Sequence, residues 1–174
     1  MIKSITLAGA ATFLALSGAT TAQAADLNDA QIAHVAYTAG QIDIAAGKQA
    51  LAKSKNKAVR AFAQEMVRDH AAVNVKALAL VKKLHVTPQA NETSAALSKG
   101  AAAELRTLSR LRGGAFDRAY IRNEVVYHKT VNGALKDTLI PNAQNGELKS
   151  LLQTGLTLFS EHQTHAEHLV SNMR

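Results

Sequence analysis

The chain contains two prolines in 174 residues, Pro88 and Pro141, and long stretches around them carry apolar residues three or four positions apart. This spacing places apolar side chains along one face of an α-helix. No stretch alternates with the two-residue period of a half-buried strand. Because proline interrupts a helix, each proline is expected where a helical pattern stops. The sequence therefore predicts an all-α protein.

Polar caps and apolar periodicity predict four long helices and one short one. Asn28 and Gln31 have the spacing of a capping box, and Leu27 and Ile32 that of a hydrophobic staple, at the start of the first helix. The expected spans are Asn28 to Ser54, Asn56 to Leu84, Thr93 to Leu111, Ala115 to Leu139, and Asn145 to nearly the C-terminus. Gly113 and Gly114 are expected to end the short third helix.

The segment from His85 to Gly114 is long for a link between neighbouring helices. It is long enough to cross from one end of a bundle to the other, as the single crossover of ferritin-like folds does. The short helix would lie on this crossover. We therefore expect one domain, residues 25–174, folded as a ferritin-like four-helix bundle with a long crossover that carries a short extra helix.

Residues 1–24 have the composition of a secretory signal peptide. Lys3 precedes an apolar run from Ile5 to Leu16, and small residues lead to Ala22-Gln23-Ala24, so cleavage is expected after Ala24. The alternative is a membrane anchor, but the apolar run is shorter than the roughly 20 residues that span a bilayer. The mature chain is expected to be periplasmic or secreted, without a transmembrane segment.

The formal net charge of +7 falls to +6 when the expected signal peptide, with its single Lys3, is removed. An exported protein encounters little nucleic acid, so nucleic acid is not expected as a partner despite the positive charge. The basic residues are scattered, which favours a solvated surface and leaves an anionic envelope component as the alternative partner. The chain has no cysteine and forms no disulfide.

Each long helix places at least one titratable residue on its apolar face. Burying such a group without a partner commonly costs about 1–3 kcal/mol, so these side chains are expected to meet each other or a ligand. The candidate metal ligands are Asp43, His70, Glu124, His128, His162 and His165. His34, Glu161 and His168 point further outward.

Carboxylate and imidazole ligands gather in bundle cores and suit a transition metal such as Fe, Mn, Zn or Cu. The alternative is a hydrogen-bonded polar layer that fixes helix register, with His70 bonded to Asp43 and with His128 or His162 bonded to Glu124. The protein would then be a structural or stress-associated envelope component. Sequence spacing leaves both interpretations open.

Motifs for catalysis are missing from the chain. The two Glu-x-x-His motifs of di-iron oxidases are absent, since Glu65, Glu124 and Glu161 are followed three residues later by Arg68, Tyr127 and Thr164. There is also no Gly-x-Ser-x-Gly elbow, phosphate-binding glycine loop or His-Glu-x-x-His helix. These absences favour a protein that is not an enzyme.

Three segments resemble the ferritin-like exported bacterial proteins catalogued as domain of unknown function 4142, some of which carry an outer-membrane label. They are Val59-Arg-Ala-Phe-Ala-Gln-Glu-Met-Val-Arg-Asp-His70, Phe116-Asp-Arg-Ala-Tyr120 running on to His128, and Leu148-Lys-Ser-Leu-Leu running on to His162. The resemblance covers nearly the whole mature chain.

The resemblance implies a four-helix bundle with a long crossover and no established activity. It also implies that His70, His128 and His162 stand at positions where the family has histidine. Asp43 stands where many relatives have Glu, which shortens the reach of a ligand there by one methylene.

Overall fold

The computed structural model of the protein describes residues 27–173, so the expected signal peptide and its cleavage site after Ala24 lie outside the described residues. The five main helices are α1 (Asp29–Lys53), α2 (Lys57–Lys83), the shorter α3 (Glu92–Arg110), α4 (Gly113–Ala134) and α5 (Gly146–Asn172). No strand occurs between residues 27 and 173. The all-α prediction is confirmed.

Helices begin where the polar caps predict. Asn28 Oδ1 accepts the Gln31 N–H at 2.9 Å and Gln31 Oε1 accepts the Asn28 N–H at 3.1 Å, which completes the capping box. Asn56 and Asn145 each accept two backbone N–H groups at the start of α2 and α5. These starts were predictable because a cap satisfies the free N–H groups of its own helix and depends on local sequence alone.

Two helix boundaries differ from the prediction. Gly113 and Gly114 open α4 and do not end α3, because the backbone is already extended at Leu111 and Arg112. Gly113 takes the left-handed conformation, φ 54°, that starts α4. Past Ala134 the chain continues as a π-helical segment, Leu135–Leu139, and a final turn, Ile140–Asn142. Pro141 fits in that turn because the first residues of a helix need no intrahelical N–H partner.

The short helix α3 runs parallel to α1 along its outer side. Near the start of both helices, Asn91 Nδ2 donates to Gln31 O at 3.2 Å. Near their ends, Lys53 Nζ donates to Ser109 O at 2.6 Å. The chain therefore returns from the end of α2 to the opposite end of the bundle through α3, as expected of the ferritin-like crossover.

The second helical pair packs on the first to complete the four-helix bundle. Helix α4 runs antiparallel to α1, and the Asp29 carboxylate at the start of α1 accepts the Gln144 and Asn145 N–H groups, both at 2.8 Å, beyond the end of α4. Helix α5 packs against α4 and α2. No helix between residues 27 and 173 is long and apolar enough to cross a bilayer.

The core consists of two apolar clusters at opposite ends of the bundle. The first cluster contains the start of α1, the end of α4 and the first half of α5, including Ile32, Val35, Leu135, Leu152 and Phe159. The second contains the end of α1 and the starts of α2 and α4, including Phe62, Met66, Phe116, Tyr120 and Ile121. The polar residues discussed below lie between these clusters.

Candidate metal centre

A layer of titratable side chains separates the two apolar clusters. It contains Asp43 from α1, His70 from α2, Glu124 and His128 from α4, and His162 from α5. Each of these residues has an exposed fraction of 2 % or less. The structure thus brings together five of the six residues that the sequence singles out, one or two from every helix of the bundle.

The three imidazole rings of the layer form a nearly equilateral triangle. The ring centroids of His70 and His162 lie 5.4 Å apart, those of His128 and His162 5.5 Å, and those of His70 and His128 5.6 Å. One nitrogen from each ring lies within 4.8 Å of one nitrogen from each of the others. The rings therefore point nitrogen atoms toward a shared space from three helices.

The carboxyl groups extend this triangle on the side of α1 and α4. Asp43 Oδ2 lies 3.2 Å from His70 Nε2 and 3.4 Å from His128 Nε2. Ligand atoms of Asp43, Glu124 and His128 also lie within 4.8 Å of one another. His128 is therefore common to the imidazole triangle and to the carboxylate group.

A backbone carbonyl fixes which His128 nitrogen carries the proton. His128 Nδ1 lies 3.0 Å from Glu124 O, one helical turn earlier. Because a carbonyl oxygen only accepts, Nδ1 is the donor, and the neutral ring then has its free lone pair on Nε2. That nitrogen faces Asp43 Oδ2 and the other rings.

The Asp69 carboxylate fixes the His162 ring in the same way. His162 Nε2 lies 3.1 Å from Asp69 Oδ2, across the interface of α2 and α5. The Arg68 guanidinium beside Asp69 lowers the pKa of that carboxyl, so it is ionised and accepts the Nε2 proton. His162 Nδ1, which is buried and has no hydrogen-bond partner among residues 27–173, is left with the lone pair.

The inner polar atoms of the layer have no hydrogen-bond partner within residues 27–173. The contacts of Asp43 Oδ2 with His70 and His128 are close but do not have hydrogen-bond geometry. The unpartnered atoms are both Asp43 oxygens, both His70 nitrogens, Glu124 Oε2, His128 Nε2 and His162 Nδ1. Buried polar atoms are rarely left in this state, so the layer is incomplete as a hydrogen-bond network.

Burial keeps the three imidazoles neutral. Loss of solvation lowers the pKa of His128 to about 4 and that of His70 well below its ordinary value, with neighbouring histidines adding to the effect. The pKa of His162 is also lowered by burial, against the opposing effect of Asp69. At neutral pH all three rings therefore have an unprotonated nitrogen.

Burial has the opposite effect on the two carboxyl groups. It raises the pKa of Asp43 to about 7, while the interaction with Glu124 partly opposes that rise. The pKa of Glu124 is raised well above its ordinary value, first by burial and then by the negative charge of Asp43. The pair therefore retains a proton near neutral pH, because two adjacent buried carboxylates repel each other.

His165 does not lie with the other five predicted residues. Its side chain is 44 % exposed, and its Nδ1 lies 2.8 Å from Glu65 Oε2 at the surface of the α2 and α5 interface. Phe159 and Ala166 mark the buried face of α5, and His162 lies at its border. The three residues from His162 to His165 turn the side chain about 60° further from that face, toward the surface.

Comparison with known proteins identifies the family of this chain, and the function of that family is unknown. The family described as domain of unknown function (DUF4142) matches residues 15–169. The chain belongs to this family. Among curated proteins no sequence matches the DUF4142 chain.

The DUF4142 chain is similar in structure to a DUF305 protein from Streptomyces coelicolor solved by crystallography. The two share 12 % sequence identity with a TM-score of 0.68, over 82 % of this chain and 91 % of that one. At this identity the likeness shows the fold alone.

Sequence reasoning missed two residues that shape the centre of this DUF4142 chain. Asp69 lies next to His70 in sequence but faces α5, where it orients His162. Phe159 stacks on His70, with ring centroids 4.4 Å apart and an interplanar angle of 10°. The signal for Phe159 was available, since it lies three residues before His162 on the apolar face of α5. Periodicity alone gave no signal for Asp69.

Proposed function

We propose that this DUF4142 protein is an exported helical bundle that binds one transition-metal ion at its axis. His70, His128, His162 and Asp43 would be the ligands, with Glu124 beside them. One observation carries the proposal: unpartnered lone pairs of neutral imidazoles and of a carboxyl group converge from all four bundle helices in a buried layer. A metal ion would satisfy these atoms together.

The spacing and support of the imidazoles suit a metal centre. Rings bound to one tetrahedral ion at metal–nitrogen distances of about 2.0–2.1 Å have centroids about 5 Å apart, close to the triangle described above. Ligand histidines usually donate their other N–H to a carbonyl or carboxylate, as His128 does to Glu124 O and His162 to Asp69. These outer contacts hold the free nitrogens toward the axis.

The donor set selects a class of metal. Imidazole nitrogens with one carboxylate favour Zn, Fe, Mn or Cu over the hard ions Mg and Ca, which prefer oxygen ligands. Cysteine is absent from the chain, so the soft thiolate centres are excluded. When bound, the ion would supply a buried positive charge that neutralises the Asp43 and Glu124 pair.

Export is the part of the proposal that rests on sequence alone. The order of Lys3, an apolar run and Ala22-Gln23-Ala24 is typical of a signal peptide with cleavage after Ala24. The envelope is therefore the compartment in which the bundle would acquire its metal.

Metal binding is tested on the mature chain, residues 25–174, purified without a histidine tag. We compare three proteins: wild type, His70→Ala and His162→Ala. Each is titrated with Zn, Mn, Fe(II) and Cu, and its melting temperature is measured with each metal and with chelator. A metal that binds the native state alone raises the melting temperature. We expect such a rise for wild type and its loss in both variants, because each removes one of four ligands.

The matched controls are His165→Ala and His168→Ala, which remove histidines at the surface of α5. Both should bind metal as wild type does. Circular dichroism in chelator shows whether the ligand variants remain folded, so that loss of binding is separated from loss of structure. Equal melting temperatures for wild type in chelator and in every metal would contradict the proposal and favour a polar layer that only fixes helix register.

A further inference from the structure

A second internal feature lies beside the polar layer, in the half of the bundle that contains the first apolar cluster. It is a cavity of about 340 Å³, lined by all four bundle helices and by the start of α3. Cores of folded proteins leave few spaces larger than a water molecule. A volume of this size is instead typical of a small-molecule site.

The walls of the cavity are aliphatic. Leucine, valine and alanine side chains make up most of the lining, with Phe159 as its one aromatic ring. The lining within residues 27–173 contains no acidic or basic side chain. The one buried polar side chain in this described part of the lining is the neutral amide of Asn74, which cannot neutralise a buried charge, so the enclosed part of any ligand must be mainly apolar.

The lining of the cavity extends over several helical turns. Along α5 its lining extends from Leu148 to Phe159, and eleven residues of helix span about 16 Å. A volume of about 340 Å³ over this length leaves a cross-section of roughly 20 Å². This area is close to the cross-section of a single hydrocarbon chain.

The volume of the cavity limits the number of ligand carbon atoms that it can hold. A cavity of about 150 Å³ holds one benzene molecule of six carbons. The larger cavity of this bundle, at about 340 Å³, therefore accommodates about a dozen carbons.

One edge of the cavity meets solvent at threonines. Thr93 and Thr138 line it and are exposed, whereas Leu135 and Leu139 on the same wall are buried. Leu135, Thr138 and Leu139 belong to the π-helical segment, a form that occurs mostly in short pieces and frequently at functional sites. A polar headgroup at this edge would remain hydrated next to hydroxyl groups.

We propose that this cavity binds a single alkyl chain of about twelve carbons, with the chain enclosed among α1, α2, α4 and α5 and its polar headgroup at the threonine edge. The far end of the chain would contact Phe159, whose ring stacks on His70. The ligand is thus a single-chain amphiphile. Free fatty acids and lysolipids share this chemistry.

Binding is measured by calorimetric titration of the mature protein in chelator, with each ligand below its micelle concentration. The ligands are dodecanoate, dodecanol and a lysophosphocholine with a twelve-carbon chain. Chelator keeps the result independent of the metal proposal. We expect saturable binding of one molecule per chain, and the three ligands show which headgroup the site accepts.

Two variants fill the cavity and one is their matched control. Ala36→Leu in α1 and Ala77→Leu in α2 add three carbons to a wall, whereas Ala45→Leu makes the same change on the exposed face of α1. The first two should weaken binding at least about tenfold, a difference of about 1.4 kcal/mol, and the third should not. Two filling variants are made so that, if one of them fails to fold, the other still tests the proposal. Absence of saturable binding for all three ligands, or equal affinities in wild type and the filling variants, would overturn the proposal.

Discussion

At the scale of single residues, Asp69 has the most specific role outside the proposed ligand set. It accepts the Nε2 proton of His162 at 3.1 Å and so leaves the inner nitrogen of that ring free. Loss of such an outer partner typically weakens metal affinity by about 10–100-fold. We expect Asp69→Ala to show a loss in this range, and Asp69→Asn, which keeps an acceptor oxygen, a smaller one.

The control for Asp69 is its neighbour Glu65, one turn earlier on α2. Glu65 also lies beside His162, but it accepts from His165 and makes no hydrogen bond to His162. Glu65→Ala should therefore leave metal affinity unchanged. Competition with a chelator of known affinity measures all three variants, and equal losses for Asp69→Ala and Glu65→Ala would refute a specific role for Asp69.

The carboxyl pair predicts how stability depends on pH without metal. In the unfolded chain Asp43 loses its proton near pH 4, whereas in the folded chain it keeps the proton to about pH 7. The folded state therefore binds more protons in this interval, and this contribution to the free energy of unfolding falls as pH rises. The histidines act oppositely below pH 6.5, because their pKa values are lowered in the folded state.

Above pH 6.5 the histidine contribution levels off, because the histidines of the unfolded chain lose their remaining protons there, and the carboxyl contribution remains. We expect the metal-free protein to be most stable near pH 6.5 and to lose up to about 1.4 kcal/mol per pH unit above it for each proton released. Urea unfolding in chelator from pH 5 to 8 measures this, and Asp43→Asn should flatten the decline. Stability that rises steadily to pH 8 in chelator would be inconsistent with a buried protonated pair.

At the scale of helices, the layer depends on the close approach of α1 and α2. Gly47 marks this approach: a Cβ there would lie 2.9 Å from Val67 Cγ2 and 3.1 Å from the Ala63 backbone oxygen. Gly47→Ala gains up to about 1 kcal/mol in helix propensity but forces the helices apart. Overpacking costs about 1–3 kcal/mol, so we expect net destabilisation.

Gly133 is the matched control, because a Cβ added there meets nothing within 4 Å. Gly133→Ala should stabilise the protein by up to about 1 kcal/mol through helix propensity alone. Urea unfolding of both variants in chelator gives the comparison. A Gly47→Ala variant as stable as Gly133→Ala would show that the two helices can separate at no cost.

Helices were predictable from sequence where local rules decide them. Asn28, Asn56 and Asn145 cap their own helices, and the apolar faces that follow identified the buried positions of His70 and His162. The π-helical segment was not predictable, since a shift in backbone hydrogen bonding leaves no mark in the spacing of apolar residues. Contacts between helices were missed for a similar reason: Asp69 meets His162 because of how α2 and α5 are rotated, which no single-helix pattern contains.

At the scale of the whole molecule, the two halves of the bundle differ. The half around Phe62, Phe116 and Tyr120 has buried aromatic side chains at its centre, whereas the half around Phe159 has the aliphatic cavity described above. The polar layer lies between them and touches both halves. The crossover through α3 covers the cavity at Thr93 and Leu97. The ferritin-like fold thus places a proposed metal centre and a proposed alkyl site against each other along one axis.

The most direct test is the metal content of the tag-free mature protein after equilibration with an equimolar mixture of Zn, Mn, Fe(II) and Cu and removal of unbound ions. Elemental analysis should find about one ion per chain in wild type and in His165→Ala. It should find almost none in His162→Ala, because that variant lacks His162 Nδ1, one of the few buried nitrogen atoms without a hydrogen-bond partner that could bind the ion. A wild-type protein without stoichiometric metal, or equal metal in His162→Ala, would contradict the account.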